Sequence, residues 1–267
     1  MFFPAAASTN PAPRRFGSTR FIPSLIATVL VGVAAGCQAD DPGSAPSPSA
    51  EPTTAGEVCA DTAEGVVLAE DGWSVTKTDD GEQWINYGAL FDVDPQVTGV
   101  EVRVEWFDAA GEPLGWGDAA EDDSTSEILP VKLSPDGVGA VSNFVWLMGE
   151  LDSLTYTVTS VCRTTEEVDP AGTVDITNTE LTVDSDDEAE LTMTVTSDFG
   201  DTVESGLSIL FRDENGEIIG GTLATDGAVT LGEVTPGDSQ HVVAFGWEDF
   251  YPAPTDIAEV SAYPNLR

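Results

Sequence analysis

The chain has 267 residues, with 48 acidic side chains against nine basic ones and a formal net charge of −39. A surface of that sign repels phosphate, so it excludes nucleic-acid binding, which needs a basic footprint to displace counterions, and adhesion to anionic lipid through the folded surface. Cationic partners and divalent ions are attracted instead, although acidity of this kind also serves solubility alone.

Arg14, Arg15 and Arg20 precede an apolar run from Phe21 to Ala35, and Val33-Ala34-Ala35-Gly36-Cys37 closes it with small residues before a cysteine. Pro23 and Ser24 interrupt the run, which is shorter than the ~20 residues a spanning helix needs, so cleavage is expected rather than a transmembrane anchor. Residues 1–36 resemble a lipoprotein signal peptide. That resemblance implies export, acylation of Cys37 as the first mature residue, and attachment to the extracytoplasmic face of the cell membrane. The Arg14-Arg15 pair leaves the choice between general and twin-arginine export open. With three basic residues removed, six face 48 acidic ones, a formal charge of −42.

Residues 37–56 follow as a tether. The stretch Gln38 to Gly56 is rich in proline, serine, alanine and threonine and has no aromatic or large aliphatic residue from which to build a core. At ~3.1 Å per residue in an extended form it reaches at most about 60 Å.

From residue 57 the chain alternates short apolar runs with glycine, proline, asparagine and aspartate, the pattern of antiparallel strands and turns. Val100, Val102, Val104 and Trp106 share the inward face of one strand, and Asp108-Ala109-Ala110-Gly111 supplies a turn after it. About 105 residues later Leu207, Ile209 and Phe211 repeat the inward face, and Asp213-Glu214-Asn215-Gly216 the turn. A second block matches Leu133-Ser134-Pro135 to Val234-Thr235-Pro236. At an offset of 101 it also matches Val141, Phe144 and Trp146 to Val242, Phe245 and Trp247. Two blocks in the same order argue for a duplicated unit. The predicted domains are residues 57–163 and 172–267, each the size of an antiparallel β-sandwich, joined by a short polar stretch.

Val104-Glu105-Trp106-Phe107-Asp108 and Ile209-Leu210-Phe211-Arg212-Asp213, with the Gly-Glu turns that follow them, resemble the FxLYD domain, an immunoglobulin-like module of exported bacterial and archaeal proteins. In both copies an aliphatic residue replaces the phenylalanine and an aromatic the leucine, while the aspartate is kept. The resemblance implies an all-β fold of two tandem immunoglobulin-like sandwiches and a surface location. It brings no catalytic residues.

Cys59 and Cys162 remain once Cys37 is acylated, and in an oxidising compartment they are expected to form a disulfide tying the entry of the first domain to its last strand. They are not a Cys-x-x-Cys pair, and no histidine lies near them. The single histidine, His241, opens an apolar strand and is expected to be structural; no Gly-x-Ser-x-Gly elbow accompanies it. Zinc and copper lack ligands, since His241 is the only histidine and Met148 and Met193 are the only methionines beyond the leader. No cofactor is expected except, as an alternative, calcium held by carboxylates of two acidic loops: Asp118, Asp122 and Asp123 in one, Asp184, Asp186 and Asp187 in the other. Neither loop has EF-hand spacing. Trp116 aligns with Gly221 and is therefore expected to be exposed, forming a contact surface with the adjoining acidic loop. The function expected is a lipid-anchored, non-catalytic binding or spacer module, possible partners being a cell-surface protein or a cationic ligand. The alternatives are a calcium-dependent adhesive module and an extracytoplasmic hydrolase.

Overall fold

The computed structural model describes residues 57–77, 83–116, 125–164, 172–185, 187–222, 230–247 and 251–266. The leader, Cys37, the tether and the loop bearing Asp118, Asp122 and Asp123 lie outside them, as does Asp186. The chain is all-β. The first half contains β1 (Glu57–Ala60), β2 (Val66–Lys77), β3 (Gln83–Val93), β4 (Val97–Phe107), β5 (Ser126–Leu133), β6 (Val138–Trp146) and β7 (Ser153–Thr164). The second contains β8 (Val174–Val183), β9 (Glu188–Ser197), β10 (Val203–Arg212), β11 (Ile218–Thr222), β12 (Thr230–Val234), β13 (Gly237–Gly246) and β14 (Glu259–Asn265), with a single 3-10 turn at Pro254–Asp256.

In the first half the strands join as one antiparallel sheet, β1-β7-β4-β5-β6-β3-β2. Only Lys132↔Ala140 and Leu133↔Gly139 link β5 to β6, so the sheet curls there into two facing layers. Val100, Val102, Val104 and Trp106 of β4 fill the space between the layers together with Ile85, Tyr87, Phe91, Val141 and Val145. The alternation read from the sequence thus has the facing it predicted. Cys59 lies directly opposite Cys162 in the β1–β7 ladder, and the two sulfurs are bonded.

The second half divides the equivalent strands between two sheets, β13-β9-β8 on one side and β10 with β11, β12 and β14 on the other. Its core gathers Leu191, Met193, Val195, Leu207, Ile209 and Phe211. The two repeats share one turn almost atom for atom. The Asp108 carboxylate accepts the N–H of Ala110 and of Glu112, and the Asp213 carboxylate accepts those of Asn215 and Glu217. Gly111 and Gly216 close these turns at φ 78° and 81°, which a glycine adopts without steric cost. Hydrogen bonds, led by that from the Asn215 side chain, hold the Asp213 carboxyl below its ordinary pKa.

The second sequence block needs a correction. In β6, Val141 and Val145 point into the core, while Ser142 and Phe144 lie on the opposite face, where Ser142 donates to the Thr222 carbonyl and the Phe144 ring stands 6.5 Å from Tyr251. In β13 and the residue after it, Val243, Phe245 and Trp247 pack on the core, and Val242 is 61% exposed. The offset of 101 therefore pairs an inward valine with an outward one. Side chains on a strand alternate with period two, so a one-residue error inverts every facing, and an offset of 102 restores it.

Candidate functional site: the junction between the two repeats

Every residue of β3 from Ile85 to Phe91 is buried, an uninterrupted run that a strand shows only when both of its faces are covered. One face lines the first core. The other meets β10 and β11 of the second half, where Leu90 and Ala140 pack against Leu210 and Ile218. Residues 51–267 accordingly form one compact unit.

Glycines let the two backbones approach. A Cβ on Gly72 would strike the Ile218 carbonyl, and one on Gly220 the Asn86 amide oxygen; Gly220 also sits at φ 144°. A Cβ on Gly88 would lie 2.6 Å from Leu210 Cδ2. Polar groups inside the contact are matched. The Asn86 side chain, fully buried, donates from Nδ2 to the Gly221 carbonyl at 3.2 Å and accepts the Gly221 N–H at 2.6 Å. Asn86 thereby completes the unpaired edge of β11 as a neighbouring strand would. Ser74 Oγ donates to the Ile219 carbonyl at 2.6 Å, and Thr76 Oγ1 to that of Tyr251 at 3.3 Å.

At the rim, Arg212 pairs with Glu70 at 2.6 Å, while its Nε donates to Ser261 and its Nη1 to the Gly216 carbonyl. A groove of about 600 Å³ opens beside this pair, lined by Glu70–Trp73 and Gly216–Ile219. Partial burial raises the Asp71 pKa from its ordinary value. With Glu70 already paired, Asp71 and Glu217 give the groove a negative rim that attracts cations.

A second polar cluster lies inside the first half. Tyr87 donates its hydroxyl to Glu127 at 2.8 Å, and Asn143 Nδ2 bonds both carboxylate oxygens of Glu127 at 2.9 and 3.0 Å. Burial raises the Glu127 pKa despite these two donors, and burial followed by the nearby Glu127 charge raises that of Tyr87. The Asn143 Oδ1 accepts the Phe144 N–H at 2.8 Å, so the three side chains are held as a polar pin in the core.

Trp116, expected to be exposed, is half-buried. It packs on the first core, its ring is 6.4 Å from Trp106, and its indole N–H donates to the Ser126 carbonyl at 3.2 Å. The glycine that suggested exposure has another cause. Gly221 faces Ile209 and Ser142 at the junction, where no side chain fits, so its small size reports the neighbouring repeat. Trp146, matched to Trp247 by the offset of 101, is half-buried opposite Trp84, on the outer face of β6 that carries Phe144.

Asp184 and Asp187 belong to an exposed hairpin turn in which Asp184 accepts the Glu188 N–H at 3.1 Å. Among the described residues no group of three or more His, Cys, Asp and Glu side chains is arranged to hold a metal ion. His241 is half-buried on β13 with Ser239 Oγ 3.0 Å from its Nε2.

The sequence reading missed the junction. Its signals are the Gly220-Gly221 pair and the consecutive apolar residues Ala89-Leu90-Phe91 and Ile209-Leu210-Phe211, which break the one-sided alternation seen elsewhere. In comparison with known proteins, no family model matches the chain and no curated sequence matches it.

Proposed function

We propose that this chain is a non-catalytic binding or spacer module of the cell surface, acylated at Cys37 and held off the membrane by the tether of residues 38–56. The observation that carries the spacer reading is the junction. Asn86 hydrogen-bonds Gly221 in both directions, Ser74, Thr76 and Ser142 bind carbonyls of the other repeat, and glycines bring the backbones into contact. Two repeats so locked present their far ends at a fixed separation, which is what a spacer supplies and what beads on a flexible linker do not. The address rests on the sequence Val33-Ala34-Ala35-Gly36-Cys37 behind a basic start.

Two measurements test the two parts. Cells fed labelled palmitate should mark the wild-type chain and not Cys37→Ser; equal labelling sinks the anchor. Spin labels, one on each repeat, should report a single narrow distance in the purified chain. A broad distribution would remove the rigid spacer.

A further inference from the structure

The chain enters the first repeat at Glu57 and leaves it at Thr164, and these two residues are directly paired at one end of the β1–β7 ladder. Four pairs make up that ladder: Glu57↔Thr164, Val58↔Arg163, Cys59↔Cys162 and Ala60↔Val161. Tension applied between the tether and the second repeat therefore pulls on two strand ends lying side by side. Such a load opens an antiparallel pair like a zipper, breaking a few hydrogen bonds at a time, each with a net contribution of only ~1 kcal/mol. The Cys59–Cys162 disulfide sits at the third pair and stops the opening after two.

We infer that this disulfide is a load bypass: tension entering through the tether crosses from Cys59 to Cys162 and on to the second repeat without being carried by the residues between them. The inference rests on the tethered-spacer reading, because only a chain held at one end and engaged at the other bears tension. The cysteines are 103 residues apart, so at ~3.4 Å per extended residue the bond withholds about 350 Å of chain from stretching. Reduction would open the bypass. The first repeat would then take the load at an edge, since among the described residues β1 is hydrogen-bonded to β7 alone. The bond's place at the point of entry makes the folded body inextensible from that end, and reduction makes it a releasable length.

The test stretches the full chain between handles at its two ends, first without reductant and then with dithiothreitol added to the same molecule. Without reductant, the summed unfolding steps should fall short of the extended chain by about 350 Å. With reductant that length should appear, at a lower force than the steps of the second repeat. Release of the full length before reduction overturns the inference, and so does a reduced first repeat that yields only after the second. The Cys59→Ser, Cys162→Ser double variant should behave as the reduced chain does. Tryptophan fluorescence at zero force should show the reduced protein still folded without denaturant; unfolding on reduction alone would make the bond a folding staple and overturn the bypass. Because the pulled chain carries no lipid, failure here leaves acylation of Cys37 standing, and failure of palmitate labelling leaves the stretching result standing.

Discussion

The two repeats solve one packing problem with different closures. In the first, β5 and β6 remain hydrogen-bonded across their turn and the strands form one curled sheet; in the second, β12 pairs with β10, β13 pairs with β9, and the layers separate. The first repeat also carries the disulfide and five of the six tryptophans. The second has neither staple nor comparable aromatic mass, and it lays Leu210 and Ile218 against its neighbour. The difference teaches that the first repeat joins its layers by its own ladder and disulfide, whereas the second leaves its layers apart, and that both complete their burial through the junction.

Removing the closure of the first repeat should have the largest effect. For a loop of this length the chain-entropy model assigns a disulfide about 4.7 kcal/mol, so the Cys59→Ser, Cys162→Ser chain should lose stability on that scale. Denaturant unfolding followed by tryptophan fluorescence, which reports mainly the first repeat, should show the loss; an unchanged midpoint would mean that the disulfide adds nothing to closure. Next is Asn86→Ala, which strands the buried N–H and C=O of Gly221. It should cost about 2–4 kcal/mol and split a shared transition into two, because it attacks the contact rather than either core. A single transition with full stability would mean that the repeats do not rely on each other. Trp116→Ala should cost about 2 kcal/mol, less than a fully buried tryptophan, and the loss should fall on the first repeat alone.

The smallest effect is one of pH. Glu127 has a folded-state pKa raised by burial, so the folded form holds its proton more tightly than the unfolded form. Its stabilising share is complete below the unfolded value of ~4.3 and is lost as pH rises through the raised folded value. Glu127→Gln should flatten the stability curve over that window while the second repeat keeps its own pH dependence. A slope identical to wild type would remove Glu127 as its source.

What the sequence made legible follows from which interactions are local. The Asp-x-x-Gly turns and the alternation of Val100 to Trp106 declare themselves because a turn and a one-sided strand each need specific residue types at fixed spacing. Trp116 could not be placed, since its burial depends on Trp106 and on the Ser126 carbonyl, which the fold brings to it. The facing of β13 failed for a narrower reason. The turn before it holds Gly237 at φ 88° within a sequence one residue different from the turn at Gly137, and one residue is all that separates the two faces of a strand. At Gly221 an absent side chain was read as a property of the aligned tryptophan when it marked contact with another surface.

The junction joins unlike faces, β10–β11 of one repeat on β2–β3–β6 of the other, and a heterologous contact of that kind can in principle be continued by adding units. The next seat is the outer face of the β13-β9-β8 sheet. There the exposed positions carry Glu180, Glu188, Glu190 and Gln240 beside Val242, where the occupied face of the first repeat presents Asn86, Leu90, Ala140 and Ser142. Seating a third repeat would desolvate those carboxylates, a cost that only closely paired cations offset. The second repeat thus offers a further unit a more acidic face than the one it occupies on the first.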